Sequence, residues 1–241
     1  MLAGYEHLLA AGRRLQWDAE AIDLSADAAA LGALSNDAQR RVRTLLAGFW
    51  VAEHGVAEHL EEYVTVSDGM ARRCLELQAS DERRHARFFE RVRAEVLDVD
   101  DVRGIAGAEI VALFERELPA VAAGLAAGSV ALADAVGLYH LVLEAIVLSV
   151  GEAALVAEAA PLPGVAAGAA RVQADERWHI GLGVQVLSDA GISPGGIEPL
   201  AERAARAWGA EIASDDRVRH ALAAHRRRAL LLRRSTLAGR V

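Results

Sequence analysis

Two nearly identical phrases, DERRH and DERWH, stand far apart in this chain. Each places a glutamate three residues before a histidine, as Glu82 with His85 and Glu176 with His179. Residues three apart share one face of an α-helix, so the carboxylate and the imidazole project to the same side. Both groups are ligands for first-row transition metals. No other histidine of the chain follows a glutamate at this spacing, which favours two halves of one metal site over coincidence.

Two further glutamates stand on apolar helix faces. Glu53 lies about one turn from Phe49 and Val56, and Glu144 lies about one turn from Leu148. An isolated buried carboxylate is strongly penalised, so such groups are normally neutralised, paired or coordinated to metal. Two divalent cations would neutralise all four glutamates. One Glu from each of two helices and one Glu-x-x-His from each of two others is the pattern of dinuclear carboxylate bundles, and it predicts a dinuclear site.

The elements that would position these residues are helices. Apolar residues recur at spacings of three and four, and alternating β-branched stretches are nearly absent, which predicts an all-α chain. No Gly/Ser or Pro linker divides it, so we expect one domain over residues 1–241. Asp27 and Ser35 are expected helix caps. The expected helices run over roughly 36–66, 69–97, 106–126, 129–159 and 164–189, with one or two more between 196 and 235.

Composition argues against several classes of partner. A net charge of -8 and a pI near 5.5 give no electrostatic reason to expect nucleic acid or an anionic membrane. The arginines at 226–228, 233 and 234 are expected to form a solvated helix end. One cysteine and an N-terminus unlike a signal peptide favour a cytoplasmic location. The longest uncharged stretch, residues 118–133, is short for a bilayer, so no membrane span is expected.

On these residues the chain resembles the ferritin-like superfamily, and within it the ribonucleotide reductase small-subunit group, over about residues 17–187. That group orders its ligands as carboxylate, Glu-x-x-His, Glu, Glu-x-x-His, as this chain does. It also has a Trp well before the first ligand and an Asp directly before the second Glu-x-x-His, which Trp17 and Asp175 match. The resemblance implies that Asp175 hydrogen-bonds His85 and connects it to Trp17 as an electron route. Asp81, at the same place in the first phrase, is expected on the helix surface.

A closer resemblance is to the R2-like ligand-binding oxidases. That family has a Val three residues after the first ligand and a Tyr five residues before the third carboxylate, joined by an ether bond that forms at the metals. Val56 and Tyr139 stand at those positions, where the phenol would supply the oxygen and the valine a tertiary C–H to be oxidised. On a straight helix Tyr139 would lie about 140° from Glu144. An irregular stretch is therefore predicted between Tyr139 and Gly151.

Some positions depart from these families. A reductase small subunit has a radical-bearing Tyr four residues after the first ligand His, where this chain has Phe89, and a further Tyr in a C-terminal tail, which the closing RRSTLAGRV lacks. The missing tail Tyr argues against nucleotide reduction. His54 stands where the oxidases commonly have another Glu, and the segment after His179 is shorter than in those proteins. The helices that enclose a ligand are therefore expected to be reduced or rearranged.

The sequence thus predicts an all-α ferritin-like bundle that holds Mn/Fe, the first choice, or Fe/Fe and reacts with O₂ as an oxidase or oxygenase. The first metal is assigned to Glu53, Glu82 and His85 and the second to Glu144, Glu176 and His179, with Glu82 and Glu176 bridging. The resemblance also implies an apolar, fatty-acid-like ligand and a homodimer. The alternatives are a divergent reductase small subunit, a non-enzymatic iron-handling protein of the ferritin type, and a metal-free bundle whose acids are salt-bridged.

Overall fold

The computed structural model describes residues 2–191 and 198–238, and over those ranges the chain forms helices and no strand. The all-α prediction is confirmed. In chain order the α-helices are α1 Tyr5–Arg14, α2 Asp27–Gly32, α3 Asn36–Val66, α4 Gly69–Val92, α5 Arg103–Ala106, α6 Ala108–Ala112, α7 Leu118–Ala126, α8 Leu132–Val136, α9 Ser149–Glu158, α10 Pro163–Asp189, α11 Glu198–Ala204 and α12 Asp215–Ala238. A 3₁₀ turn covers Ala19–Ala21, and π-helical segments cover Arg93–Leu97, Leu113–Glu117 and Gly137–Leu148.

Four long helical stretches make the core of the bundle: α3, α4, α10, and the stretch that joins α8, a π-helical segment and α9. α3 packs along α4, and α10 packs on the π-helical segment and on α4. The stretch Leu132–Glu158 is long and apolar enough to cross a membrane by length and composition alone, but 72% of its most apolar window is buried inside the fold. Packing within the bundle therefore accounts for its apolar character.

Of the two residues expected to cap the helices that follow them, Ser35 does so and Asp27 does not. Ser35 is the N-cap of α3, and its hydroxyl accepts a hydrogen bond from the amide of Ala38, so this prediction is confirmed. Asp27 does not cap its own helix. Its buried carboxylate accepts hydrogen bonds from the amides of Gly164 and Val165, at 3.1 and 2.9 Å. These are first-turn amides of α10 that have no partner within that helix, so Asp27 fixes the start of a distant core helix.

The irregular stretch predicted from the spacing of Tyr139 and Glu144 is present, and it includes both residues. Gly137–Leu148 is π-helical, and a π-helix uses more residues per turn than an α-helix. A step of five residues then closes little more than one turn, so Tyr139 and Glu144 share a face. The indole nitrogen of Trp208 donates a hydrogen bond to the carbonyl oxygen of Val147 at 2.7 Å, within this segment. The prediction of a distorted helix is confirmed.

Candidate metal centre

The six predicted ligands converge inside the bundle. Glu53 comes from α3, Glu82 and His85 from α4, Glu144 from the π-helical segment, and Glu176 and His179 from α10. All six are buried, with at most 3% of their surface exposed. Their side-chain atoms form two groups that could each hold one cation. One group is Glu53, Glu82, His85 and Glu176, and the other is Glu82, Glu144 and His179.

The atoms that face this centre are the ones that lack hydrogen-bond partners. Both oxygens of Glu53 and of Glu176, one oxygen of Glu144 and Nδ1 of both histidines are buried without a partner among the described residues. His85 Nδ1 lies 3.4 Å from Glu53 Oε2, and His179 Nδ1 lies 3.1 Å from Glu82 Oε1. Such separations suit atoms that share one ion at about 2 Å. Unpartnered buried polar atoms are costly, so the donor set fits two cations better than it fits a metal-free core.

The other ring nitrogen of His85 is held by a carboxylate. Nε2 of His85 donates to Asp175 Oδ2 at 3.0 Å, and the indole nitrogen of Trp17 donates to the same oxygen at 2.9 Å. The Trp17 and His85 rings are also stacked, with centroids 6.1 Å apart and planes 20° apart. Asp175 therefore fixes the His85 ring so that Nδ1 faces the centre. The contacts implied for Trp17 and Asp175 are present.

The expectation that Asp81 lies on the helix surface is wrong. Asp81 is fully buried, and its carboxylate lies 3.4 Å from Nε2 of His179. Gln16 donates to Asp81 at 2.9 Å. Nη2 of Arg84 donates to Asp81 at 2.8 Å and to Asp175 at 3.0 Å, so one guanidinium joins the aspartates of both phrases. The two phrases are thus alike in their predicted ligands and also in the aspartate behind each histidine.

Two residues that the sequence did not single out as site residues, Gln78 and His140, lie beside the candidate ligands. The amide nitrogen of Gln78 donates to Glu144 at 2.8 Å and to the Tyr139 hydroxyl at 2.9 Å. Its oxygen accepts from Nε2 of His140 at 3.0 Å. Burial lowers the pKa of His140 to about 3, so this ring is neutral and its single N–H orients the amide. Gln78 lies four residues before Glu82 on the same helix face, which is the signal that would have found it.

Val56 and Tyr139, the predicted cross-link pair, are both buried in the core. The Tyr139 hydroxyl donates to Glu82 Oε1 at 2.9 Å, so the phenol oxygen lies at the centre itself. Phe89, at the position where reductases have a tyrosine, stacks on Phe49 with ring centroids 5.3 Å apart. His54 takes no part in the centre. It is half-buried, and its Nδ1 contacts the carbonyl oxygen of Trp50 at 2.8 Å.

Burial sets the protonation of these groups. It raises the pKa of Glu53 to about 8 and, together with the Glu176 charge, raises that of Glu144 well above its usual range. Burial opposes charge on His85, but its hydrogen bond to Asp175 and the carboxylate of Glu53, 3.4 Å from its Nδ1, outweigh this and raise its pKa. Burial likewise disfavours the charged form of Glu82, yet the nearby His179 holds its pKa well below the usual range. Protons held by Glu53 and Glu144 therefore neutralise part of the negative charge that bound cations would otherwise balance.

A cavity of about 660 Å³ reaches the centre from between α9, α10 and α12. Glu176 and Ala145 lie at its inner wall, and Ile180 and Val184 supply apolar lining. Glu152 lines it as well, and one of its carboxylate oxygens is buried without a hydrogen-bond partner. Burial and the charges of Glu176 and Glu53 raise the pKa of Glu152 well above its usual range. A small molecule in this cavity would lie against one of the predicted ligands.

No protein-family model and no curated protein matches the sequence. Among solved structures, an R2-like ligand-binding oxidase from Sulfolobus acidocaldarius is similar with a TM-score of 0.76 and 21% identity, over 96% of this chain and 90% of that one.

Two variants of R2-like ligand-binding oxidase are similar as well. One carries an aerobically reconstituted Fe/Fe cofactor and has a TM-score of 0.73 at 17% identity, over 97% of this chain and 93% of that one. The other carries an aerobically reconstituted Mn/Fe cofactor and has a TM-score of 0.70 at 20% identity, over 98% and 90%. The chain therefore has the helical, ferritin-like fold of the R2-like ligand-binding oxidases, with a buried glutamate and histidine cluster able to hold two metal ions.

Proposed function

We propose that this chain is an O₂-activating oxidase or oxygenase with a dinuclear metal centre, Mn/Fe or Fe/Fe. The observation that carries the proposal is the convergence of four glutamates and two histidines whose unpartnered atoms face one another. Glu53, Glu82 and His85 would hold the first metal and Glu144, Glu176 and His179 the second, and Glu82 and Glu176 would be shared between the two. Glu82 belongs to both groups of candidate ligands, which supports its bridging role. The Mn/Fe and Fe/Fe choices are taken from the similar oxidases.

When bound, the metals would supply the capacity to reduce O₂ and to oxidise nearby C–H and O–H bonds. The chain's own residues hold, orient and shield them. Asp175 and Asp81 lock the two imidazoles, and Trp17 connects Asp175 toward the protein surface as an electron route. Apolar side chains from all four core helices exclude water from the centre.

Tyr139 and Val56 are proposed to form an ether bond. The bond joins the Tyr139 oxygen to Cβ of Val56, and it removes the phenol hydrogen and the Cβ hydrogen, two electrons and two protons in all, with O₂ as oxidant. The hydrogen bond from the Tyr139 hydroxyl to Glu82 supports this, since it directs the phenol O–H at a carboxylate of the centre that can accept the proton when the bond forms. An apolar, fatty-acid-like ligand, a homodimer and a cytoplasmic location stay predictions.

The experiment is anaerobic loading with manganese and iron followed by air. Metal analysis should give two ions per chain, and peptide mass spectrometry should show loss of two hydrogens in a linked pair of peptides that contain Val56 and Tyr139. Tyr139→Phe should bind two ions and give no linked pair. Loading with redox-inert zinc is the second control, and it should leave both peptides at their native mass.

Other results would point to other functions. Many irons per chain in a large shell would favour an iron-handling protein. No bound metal would favour a salt-bridged bundle and would overturn the proposal. If two ions bind but both peptides keep their native masses after exposure to air, the metal centre is supported and the Val56–Tyr139 cross-link is contradicted. A divergent reductase small subunit would require a catalytic partner protein for turnover.

A further inference from the structure

One arginine joins the aspartates behind both candidate ligand histidines and also covers the indole of Trp17. Nη2 of Arg84 donates to Asp81 at 2.8 Å and to Asp175 at 3.0 Å. Its Nη1 donates to Gln16 at 2.9 Å, and its Cζ lies 5.2 Å from the centre of the Trp17 ring. Only 11% of the Arg84 side chain is exposed. The guanidinium is therefore held in one place over the ring, where water screens its charge little.

The two repeated phrases differ at the residue before the histidine, which is Arg84 in the first and Trp178 in the second. Trp178 packs edge-on against His179, with ring centroids 4.5 Å apart, and its indole nitrogen is buried with no hydrogen-bond partner among the described residues. An indole that loses an electron becomes strongly acidic at nitrogen, and Trp178 has no acceptor for that proton. Trp17, whose N–H is bonded to Asp175, is the better placed of the two to release an electron together with a proton.

Arg84 opposes that release in two ways. Oxidation would leave positive charge on the Trp17 ring, and a cation that is attracted to the electrons of the neutral ring repels this charge. The second effect acts through Asp175, whose Oδ2 accepts hydrogen bonds from Trp17, His85 and Arg84 at 2.9, 3.0 and 3.0 Å. A proton moved from the indole to this oxygen would cancel the charge that holds the imidazole and the guanidinium. Both the electron and the proton of Trp17 are therefore harder to remove while Arg84 is in place.

The phenol at the centre has different surroundings. The hydroxyl of Tyr139 donates to Glu82 Oε1 at 2.9 Å, so it also has a carboxylate to receive its proton. Among the described residues, the guanidiniums that cover an aromatic ring are those of Arg84 over Trp17 and Arg103 over Trp50, and neither covers the phenol. The restraint that acts on Trp17 is thus absent at Tyr139.

We propose that Arg84 is a positioning residue that restrains the oxidation of Trp17. In this oxidation one electron passes from the indole to the oxidant, which is reduced by one electron, and the N–H proton passes to Asp175, leaving a neutral indolyl radical. Because Arg84 disfavours both transfers, Trp17 would supply electrons to the centre slowly, and oxidation by O₂ would be directed to Tyr139. The restraint itself needs no metal, whereas its use in directing oxidation to Tyr139 rests on the proposed function.

The test is photo-oxidation of the full chain, loaded with zinc and also free of metal, by tris(bipyridine)ruthenium(III) generated with light and persulfate. Peptide mass spectrometry measures the yield of oxygen addition at Trp17 and at Trp50. Arg84→Gln should raise the yield at Trp17 by about fivefold or more, the size expected for loss of a partly desolvated cation over an indole. Arg84→Lys keeps the positive charge and should return the yield most of the way to that of the native chain.

Trp50 supplies the matched control, because it has the same arrangement outside both groups of candidate metal ligands. Its indole nitrogen donates to Glu90 at 2.8 Å, and Cζ of Arg103 lies 5.5 Å from the centre of its ring. Arg103→Gln should raise the yield at Trp50 and leave that at Trp17 unchanged. Because half of the Arg103 side chain is exposed, water screens its charge and the rise at Trp50 should be smaller than the rise at Trp17 in Arg84→Gln.

Three results would overturn the inference. One is an unchanged yield at Trp17 in Arg84→Gln. Another is an equal rise in Arg84→Gln and Arg84→Lys, because loosened packing rather than lost charge would then explain it. The third is a rise at Trp17 in Arg103→Gln, since the yield would then not report the cation over the ring.

Loading with manganese and iron followed by air tests the use of this restraint separately. Arg84→Gln should then give more oxidised Trp17 and less of the linked Val56 and Tyr139 peptides, and an unchanged yield of the link would contradict the directing role. Metal content measured on the same samples distinguishes the two proposals. A chain that binds no metal but shows the charge-dependent change at Trp17 under light contradicts the oxidase and supports the restraint.

Discussion

At the scale of single residues, the two ring nitrogens of each histidine at the candidate centre have different surroundings. In His85, Nε2 is bound to Asp175 while Nδ1 is left facing the centre. His179 has the same division, with Asp81 behind Nε2. The aspartate fixes the ring and would increase the basicity of the nitrogen that faces the candidate centre. Asp175 and Asp81 therefore help to determine how the two imidazole rings face the candidate centre.

A first prediction concerns these aspartates. Asp175→Asn keeps the shape but removes the charge, and should weaken metal binding by about 10- to 100-fold, as is typical for partners of ligating histidines. Asp81→Asn should have an effect of similar size, although the sequence alone placed Asp81 on the surface. Competition with a chromophoric chelator for cobalt measures both. Asp134→Asn, at an exposed acid, is the control. Equal affinity in Asp81→Asn and the native chain would show that its contact to His179 is incidental.

A second prediction concerns Gln78. Gln78→Leu leaves Glu144 and His140 without their partner, and should lower the stability of the metal-free chain by about 1–3 kcal/mol. It should also reduce the yield of the Val56–Tyr139 link, because the phenol loses the donor that orients it. Thermal unfolding and peptide mass spectrometry measure the two effects. Gln185→Leu, which removes a surface hydrogen bond to Asp189, is the matched control. An unchanged yield would mean that Glu82 alone positions the phenol.

At the scale of the helices, the sequence predicted what depends on local pattern. The bounds of α3 agree with the expected 36–66, and the π-helical segment followed from one spacing, that of Tyr139 and Glu144. Positions that depend on a distant partner were not predictable. Asp27 reads as a local cap, and only the packing of α10 against it shows which helix it caps. Arg228 is one of the five arginines expected at a solvated helix end, and for Arg228 that expectation is wrong. It is half-buried and lines the cavity between α9, α10 and α12.

A third prediction tests what supports the π-helical segment. The ring of Trp208 lies against Gly48 and Gly151, so a Cβ at either position would overlap it. Gly151→Ala should cost about 1–3 kcal/mol of unfolding free energy, the usual range for overpacking. Gly104→Ala, where an added Cβ meets nothing within 4 Å, should be neutral or stabilising by up to about 1 kcal/mol. Urea unfolding compares the two. Equal stabilities would show that the indole shifts without cost.

At the scale of the whole molecule, folding buries acidic groups at the centre of the bundle, and this burial disfavours their charged forms. Glu53, Glu144, Glu152 and Glu176 are acids whose pKa burial raises, and in the metal-free chain they retain protons that the unfolded chain would release. Cations would replace those protons. Metal binding is in this way coupled to folding and to pH, because the ligands must lose their protons before they can coordinate.

The last prediction follows from the sign of these shifts. The pKa of Glu53 is about 8 in the folded chain against an ordinary 4.5, so between these values the native state binds more protons than the unfolded one. Stability of the metal-free chain should therefore fall as pH rises from about 5 to 8. His85 and His179, with pKa values raised above 6.5, contribute a loss in the same direction above that pH. Glu82 has the opposite sign, and its contribution disappears only in acid.

The zinc-loaded chain should not follow this decline, because its ligands are already deprotonated. The difference in melting temperature between zinc-loaded and metal-free protein should widen from pH 6 to pH 8, reaching about 5–10 °C when free zinc is about 100 times its dissociation constant. Thermal unfolding at four pH values across this range measures it. Glu53→Gln removes the group whose pKa is about 8, so the metal-free variant should lose less stability with pH than the native chain. Parallel curves for the loaded and metal-free forms would contradict the coupling, since they would mean that the buried glutamates exchange no protons for metal.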